Sequence, residues 1–485
     1  MHRLFSLLLV TIMVWAASPL WAGADPDPQI AELQAENAHL RERIEALEKA
    51  LGEIQARLSM APAPTAAPAA APTATPTAEP TRPATPAKPS LTTRYPVELY
   101  GYVKLDMAWD KARTDNGNFA RWALSEGMPT NPAAPNDRQF NQTINATRFG
   151  LHFKGPEAGK AKVSGQYEVD LFGGNLAGGA LENSPMIRTR HAFFAVDWPD
   201  DVQLLVGQTW DLIGPLNPNQ LNYTVAWQAG NLGYRHPQLR LSKGFPAGDG
   251  KLLLQVAASR KVGDATTFSN SPDTGADSGS PAFQGRLGYT FPTGKGLKST
   301  IGIWGHHGSD EYDYARNGTS VSVKSHSKGV DVNLAFSKQF AIKGELWEGK
   351  NLDEYQGGIA QGVLVTSATT TAGLPVSRVI NNAALPATYR FVDAAGIKSR
   401  GGWLELNAGP FQKWRYNLGF SVDNPENGSI PDGGRTRNRT RWLNALYDLN
   451  EAVQMGLEYM RLETTYQNQL DGDDTRLQSS FIYKF

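Results

Sequence analysis

The sequence predicts an all-β protein: a 16-stranded antiparallel transmembrane β-barrel, preceded by an N-terminal α-helical coiled coil and a proline-rich linker. Three observations support this. Residues 94–485 alternate apolar and polar side chains at period two. The connections between the alternating segments are in turn long and short. Mean hydropathy is −0.39 with 40% hydrophobic residues, a polar average that suits a membrane strand in which only one residue in two faces lipid.

Composition excludes several classes of protein. Lys and Arg number 47 and so do Asp and Glu, and this zero net charge argues against a nucleic-acid partner, which requires a basic field. The 485 residues include no cysteine, so thiolate nucleophiles, iron–sulfur clusters and disulfides are excluded. The long apolar run at 4–17 is shorter than the roughly 20 residues that a membrane-spanning helix needs.

Residues 1–24 have the pattern of a secretory signal peptide. Arg3 provides the positive start, residues 4–17 the apolar stretch, and Ala22-Gly23-Ala24 a small-residue cleavage site. An uncleaved anchor helix is the alternative, and the shortness of the apolar run disfavours it.

Residues 25–60 are predicted to form a periplasmic coiled coil, because core positions recur at 3-4 spacing over four heptads. In a parallel assembly, the flanking charges pair Glu36 with Arg41 and Arg43 with Glu48. The segment that begins at Arg43 resembles a trimer-specifying signature, whereas Asn37 in the core favours dimers. We predict a homotrimer, with a dimer as the alternative. The predicted core is Ile30, Leu33, Asn37, Leu40, Ile44, Leu47, Leu51, Ile54 and Leu58.

Residues 61–93 consist mainly of Ala, Pro and Thr, with nine prolines between 62 and 89. Such a segment cannot bury a core, and proline favours the extended polyproline conformation. It is predicted to be a semi-extended linker.

Sixteen segments from residue 97 onward read as barrel strands, and eight long connections alternate with seven short ones, as one plain and one elaborated barrel rim require. The predicted segments are 97–110, 143–153, 161–171, 187–197, 202–210, 238–243, 251–261, 282–291, 297–307, 320–336, 340–348, 399–408, 413–422, 438–447, 452–462 and the final stretch to Phe485. The predicted long connections include 308–319, 349–398, 423–437 and 463–474.

Val97–Asp110, Thr147-Arg148-Phe149-Gly150-Leu151 and the terminal Phe485 resemble Gram-negative outer-membrane porins, in which a terminal aromatic residue is the assembly signal for barrel insertion. The order of signal, coiled coil, linker and barrel resembles the DcaP-like porins. So do Arg190-His191-Ala192-Phe193, Val206-Gly207-Gln208-Thr209-Trp210 and Trp403-Leu404-Glu405.

This resemblance implies a trimer of 16-stranded barrels in the lipopolysaccharide-containing outer membrane, with the N-terminal segment in the periplasm. It also implies passage of small anions, dicarboxylates in particular. Whether the coiled coil contacts peptidoglycan or a periplasmic partner stays open.

The alternation places several arginines inside the predicted barrel, on its second, fourth, sixth and eighth segments, where they could form a basic ladder that favours anions. They are Arg148, Arg188, Arg190, Arg240 and Arg286. The alternative is that these arginines pair with Glu168 and Asp170 and brace the wall. Further pore-lining candidates are Lys162, His152, Arg235 and Arg415, and acidic ones include Glu345, Glu405 and Glu458.

The third long connection, 211–237, is predicted to fold inward and narrow the lumen, as in the porins that this chain resembles. Asn222, Tyr223, Arg235 and His236 are its candidate pore residues.

The predicted function is passive diffusion of small hydrophilic solutes, with anions such as dicarboxylates preferred. A phosphate- or sugar-preferring porin, or a barrel that serves mainly as an outer-membrane-to-cell-wall tether, are the alternatives. We predict no enzymatic activity and no cofactor. No G-x-S-x-G nucleophile motif is found. His306 and His307 near Asp310 and Glu311 could bind a metal, but their position is more typical of a solvated rim.

Overall fold

The computed structural model describes residues 94–126, 137–173, 185–260, 278–294, 296–313, 320–367, 377–379 and 391–485. Every described residue belongs to the unit Pro89–Phe485. The predicted signal peptide, coiled coil and linker therefore lie outside the described residues. Within the described ranges, no helix has the length and apolar character needed to cross a membrane.

The described residues form a closed antiparallel barrel of sixteen strands, which confirms the predicted fold. Each strand pairs with the next along the chain, and β1 pairs with β20 to close the sheet. The second barrel strand consists of two halves, β2 and β3, which both pair with β1. The barrel strands are β1 Val97–Asp110, β2 Gln139–Thr143, β3 Arg148–Lys154, β4 Lys162–Asp170, β5 Arg188–Trp198, β6 Val202–Trp210, β7 Arg235–Ala247, β8 Gly250–Ser259, β9 Ala282–Gly294, β10 Leu297–Asp313, β11 Ser320–Ala335, β12 Phe340–Lys350, β16 Lys398–Phe411, β17 Trp414–Pro425, β18 Arg435–Asp448, β19 Val453–Tyr466 and β20 Gly472–Lys484.

The connection between β12 and β16 contains regular structure that the sequence did not predict. A 3-10 helix spans Asp353–Tyr355, and three short strands form a separate antiparallel sheet. These are β13 Val363–Ser367, β14 Ser377–Val379 and β15 Phe391–Gly396, with β13 in the middle.

Several predicted boundaries were wrong. The segment 143–153 is interrupted, because a turn closed by the Thr147 N–H to Ile144 carbonyl bond (2.8 Å) adds one residue opposite β1. β10, β17, β18, β19 and β20 continue beyond their predicted ends, so the connections predicted at 308–319, 423–437 and 463–474 shrink to 314–319, 426–434 and 467–471. Backbone pairing continues in these segments although the alternation of apolar and polar side chains is weaker there. The alternation therefore did not predict their full length.

The barrel is polar inside and apolar outside. On β1, Lys104, Asp106 and Asp110 are buried, while the alternate residues Leu99 and Val103 are about half exposed, at 57% and 46%. Exposed leucines and aromatics recur in this way on strands all around the barrel. A face of this kind is stable only against hydrocarbon, so the barrel spans a membrane.

A β-bulge on β5 departs from the simple alternation. The register with β4 shifts between Glu168 and Val169, so that Arg190 and His191 both point inward, although they are neighbours in the chain. Without this bulge, Arg188 and Arg190 would share a face with Ala192 and Phe194, which are exposed outside. The bulge turns two arginines into the interior.

The C-terminal residue lies at the seam of the barrel. Phe485 donates its N–H to the Gly101 carbonyl (3.1 Å) and accepts the Gly101 N–H (3.2 Å). Gly101 has no room for a side chain, since an added Cβ would lie 2.3 Å from the Arg148 carbonyl oxygen. Phe485 thus extends the β1–β20 pairing that closes the sheet. Its role as an assembly signal stays a prediction.

The exposed apolar face gives a direct test of membrane burial. Leu457, in the middle of β19, is 53% exposed, and Leu470, in the β19–β20 connection, is 63% exposed. We expect Leu457→Lys to lower the free energy of unfolding by about 2–4 kcal/mol in phospholipid vesicles, because lysine is costly near the bilayer midplane. Urea titration of the folded, heat-modifiable fraction measures this change. Leu470→Lys is the control and should leave the midpoint unchanged; equal effects of the two variants would contradict membrane burial.

Candidate functional site

The interior of the barrel is occupied by the connection between β6 and β7, residues 211–234, which we call the inner loop. Its base is held by the Asp211 carboxylate, which lies 2.9 Å from His236 Nδ1 and accepts the Tyr234 N–H (2.9 Å) and the Gln284 side-chain amide (2.8 Å). Both ends of the inner loop are thereby joined to each other and to β9. The loop lies inside the barrel, as predicted.

Three buried glutamates hold the outgoing part of the inner loop against the wall. Glu345 on β12 accepts the Leu216 N–H (2.7 Å), Glu405 on β16 accepts the Asn219 N–H (2.9 Å), and Glu458 on β19 accepts the Leu221 N–H (2.8 Å). Each carboxylate also accepts a hydrogen bond from a side chain of the wall. The donors are the Trp403 indole N–H for Glu345, the Trp442 indole N–H for Glu405 and the Asn444 side-chain amide for Glu458. The loop backbone thus finds carboxyl acceptors at regular intervals around the barrel.

The loop reaches β1 and then returns across the lumen. The Leu221 carbonyl accepts bonds from Lys104 Nζ (2.9 Å) and the Gln478 amide (3.0 Å). On the return, the Gly230 carbonyl accepts the Trp347 indole N–H (2.8 Å). Gly230 has φ +126°, and an added Cβ would lie 2.4 Å from the Gly402 carbonyl oxygen, so only glycine fits against the wall there.

Two other connections pack on the inner loop. The β1–β2 connection supplies the Ala120 carbonyl to the Asn222 side-chain amide (2.8 Å). The β12–β13 connection supplies the Tyr355 carbonyl to the Gly233 N–H (2.8 Å), and the Tyr355 ring packs with Ile213, Leu232 and Trp347. Burial raises the pKa of the Tyr355 hydroxyl well above its ordinary value. These contacts fix the loop from the long-connection side.

An arginine cluster lies on the wall where the inner loop passes β3, β4 and β5. Arg188 makes a two-pronged contact with Asp170 (2.6 and 2.9 Å), and Arg190 bonds Glu168 (2.7 Å) and Asp170 (3.2 Å). Arg148 lies 3.5 Å from Glu168. The predicted alternative, in which these arginines pair with Glu168 and Asp170, therefore describes the contacts of all three.

Tyr223 of the inner loop joins this cluster. Its hydroxyl donates to Asp170 (3.1 Å) and accepts a bond from Arg148 Nη2 (2.9 Å). Tyr223 had been predicted as a pore residue of the loop, and the structure brings it to the arginine wall. Asn222, predicted with it, is buried at the Ala120 and Glu458 contacts.

Arg235 was predicted in the connection but is the first residue of β7, because its backbone pairs with Trp210. Its guanidinium lies 4.6 Å from the Trp210 ring, 4.7 Å from Tyr234 and 5.5 Å from Trp227, within cation–π range. It is 1% exposed, and none of its nitrogens has a hydrogen-bond partner of normal geometry among the described residues, although the Tyr234 hydroxyl is near enough to bond it.

The cluster carries a surplus of positive charge. Four guanidinium groups (Arg148, Arg188, Arg190 and Arg235) face the two carboxylates of Glu168 and Asp170. Burial raises the pKa of the Tyr234 hydroxyl, but Arg188 and Arg235 lower it by more, so that the net direction is downward. The side chains of Arg148 and Arg188 are 23% and 16% exposed, so water reaches this positive wall.

The other predicted site residues are not part of the cluster. Arg240 bonds the Gln238 side chain (2.9 Å) and the Trp210 carbonyl, and Arg286 pairs with Asp331 on β11 (2.7 Å). Arg415 pairs with Asp448 (2.7 Å) beside a short turn. Arg240 and Arg286 thus have partners that are not part of the arginine cluster, and a continuous basic ladder through them stays a prediction. His152 stacks on Tyr100 (4.3 Å between ring centroids), and Lys162 is exposed at the start of β4.

The prediction that His306 belongs to a solvated rim was wrong, because its side chain is buried inside the barrel. Its ring nitrogens lie 2.6 Å from the Ser327 hydroxyl and 2.9 Å from the Ser325 hydroxyl. His307, the next residue on β10, points outward. Among the residues that the structure describes, no group of three or more His, Asp or Glu side chains could hold a metal ion.

Comparison with known proteins supports the fold. The outer membrane channel DcaP of Acinetobacter baumannii superposes with a TM-score of 0.58 at 17% identity, covering 80% of this chain and 97% of that one. This barrel has the fold of that channel. An anion-selective porin from Comamonas acidovorans (TM-score 0.46, 12% identity, covering 81% of this chain and 100% of that one) is also similar. No family model matches the sequence, and no curated protein does.

The glutamate anchors can be tested by hydrogen exchange. Glu458→Ala removes the acceptor of the Leu221 and Asn222 N–H groups, and a buried donor left without its acceptor costs about 1–3 kcal/mol. We expect exchange of these two amides to accelerate by at least about tenfold. Glu463→Ala is the control, since Glu463 lies on the same strand but pairs outside with Arg461 (3.3 Å). Unchanged protection in Glu458→Ala would contradict the anchoring.

Proposed function

We propose that this chain is an outer-membrane porin that passes small hydrophilic solutes and prefers anions. The observation that carries the proposal is the arginine wall, in which four guanidinium groups lie against two carboxylates and water reaches those of Arg148 and Arg188. Arginine keeps its charge among like charges and binds carboxylates through two parallel bonds. A lumen lined in this way attracts anions and repels cations.

The distribution of acidic residues supports the same preference. Glu345, Glu405 and Glu458 are each at most 2% exposed, because the inner loop covers them. Asp331 is 1% exposed and pairs with Arg286. Carboxylates that are buried under backbone N–H groups or paired with arginine contribute little to the potential that a passing solute meets. The accessible surplus at the arginine wall is therefore positive.

Dicarboxylates are the proposed preferred solutes, since separate guanidinium groups at Arg148 and Arg188 can each hold one carboxylate. Phosphate is the closest alternative, because arginine binds its oxygens equally well. A liposome-swelling series with succinate, phosphate and maltose separates these solutes and also tests the sugar alternative.

The bilayer test uses purified protein in a KCl gradient. We expect the reversal potential to have the sign of the chloride equilibrium potential. Arg148→Gln removes the most exposed charge of the wall and should lower the chloride-to-potassium permeability ratio severalfold. Arg441→Gln is the control: it removes the same charge on the outward face of β18, where Arg441 pairs with Glu463 (3.3 Å), and should leave the ratio unchanged. A cation-selective or silent channel would contradict the proposal.

We also propose that the protein is a homotrimer whose coiled coil, residues 25–60, lies in the periplasm. Deleting residues 25–60 should lower the temperature at which the trimer dissociates on gels, while conductance and selectivity persist in the barrel. A deletion that leaves the oligomer equally stable would overturn the trimerising role of this segment. If the full chain does not conduct and the deletion detaches the outer membrane from the cell wall, the tether alternative is supported instead.

A further inference from the structure

The outer wall formed by β8 to β12, β16 and β17 carries three successive rows of outward side chains, defined by the strand register. The first row is entirely apolar: Leu254, Leu287, Ile303, Val330, Leu346, Gly402 and Val422. The second row is Val256, Gly285, Gly305, Lys328, Glu348, Arg400 and Asn424. In the third, His307, His326, Lys350 and Lys398 are neighbours. The outward side chains of this wall thus change from apolar in the first row to largely cationic in the third.

The apolar part of this wall is concave. A groove of about 1070 Å³ is lined mainly by outward residues of the first two rows, among them Leu254, Ile303 and Leu346. Gly285 and Gly305 are adjacent in register and leave the middle of the wall without side chains. A Cβ added at Gly285 would find its nearest neighbour, the Gln255 carbonyl oxygen, 3.9 Å away, so the space above this glycine is open.

A second, polar groove of about 810 Å³ continues from the first and is lined by Lys328, Lys398, Arg400, Glu348 and Glu426 among others. Residue 398 directly follows the long connection between β12 and β16. The polar groove is therefore nearer the long-connection rim than the apolar one.

The charges of the polar groove leave a positive surplus. Lys328 pairs with Glu348 (2.8 Å), and Lys398 lies 3.8 Å from Glu426. Both pairs are solvent-exposed, with side chains 55–77% exposed. Arg400 is exposed beside Glu348, its partner in register. Three cationic side chains of the groove thus face two carboxylates, so the site favours an anionic group above an apolar trough.

We propose that this wall binds a phosphorylated lipid of the surrounding leaflet, of the lipid A type. One acyl chain lies in the trough over Gly285 and Gly305, and a phosphate contacts Arg400 and Lys328. A free phosphate ion would leave the apolar trough empty, and a neutral lipid would leave the cationic side chains without a partner. A phosphorylated lipid matches both parts of the wall. The site depends on the membrane orientation of the barrel and not on its selectivity, because every residue named lies outside the lumen.

The test is native mass spectrometry of the full chain, extracted from outer membranes in mild detergent and titrated with bisphosphorylated hexa-acyl lipid A. We expect bound lipid A on the wild type, and at least about tenfold weaker binding of the same lipid after its phosphates are removed. Equal binding of the two lipids would overturn the proposed phosphate contact.

Two variants locate the site. Gly285→Leu fills the trough, and Lys328→Glu combined with Arg400→Glu reverses the cationic row; each should weaken lipid A binding about tenfold or more. Lys251→Glu is the control, because Lys251 is also exposed (49%) but lies at the opposite rim beside Asp201. Heat-modifiability on gels checks that each variant is folded. Undiminished lipid A binding in both variants would overturn the proposal. Dissociation of the oligomer in these variants would also overturn it, because the wall would then be a contact between copies of this chain.

Discussion

The structure depends on the need to pair every backbone N–H and C=O group within a hydrocarbon environment. An unpaired backbone group there costs several kcal/mol, so strands can span the membrane only as a closed sheet. Closure by β1 and β20, extended by Phe485, satisfies this need. The period of the strand then determines the rest: one side chain in two is in lipid and must be apolar, and its neighbours are left to build a polar interior.

That interior has its own requirement, since buried polar groups must also find partners. The inner loop and the wall meet this requirement together. Glu345, Glu405 and Glu458 would be costly carboxylates if they were buried alone, and the backbone N–H groups of the loop would be unpaired without them. Each satisfies the other. The same arrangement covers the acidic residues and leaves the arginine wall as the charged surface that water reaches.

Much of the fold could be predicted from the sequence, because period-two alternation is a local signal and the lengths of the connections determine the two rims. The position of Arg148 inside the barrel followed from it, whereas Arg188 and Arg190, although also predicted inside, are turned inward by the bulge on β5. The bulge at Arg190 and His191 could not be predicted, since it appears only when β5 is paired with β4. The glutamate anchors were predicted to face the lumen, but their partners are backbone groups more than a hundred residues away. Arg235 was assigned to the connection because its pairing with Trp210 leaves no local pattern.

The central claim is the inside-out alternation of a closed membrane barrel, and the absence of cysteine from the chain makes it directly measurable. Single cysteines placed at consecutive positions along β1 can carry nitroxide labels in phospholipid vesicles, and their accessibility to oxygen and to a water-soluble nickel chelate can be compared. The account predicts high oxygen accessibility at Leu99, Val103 and Met107, and low values at Lys104, Asp106 and Ala108. A uniform profile, or one that repeats every three to four residues, would contradict it.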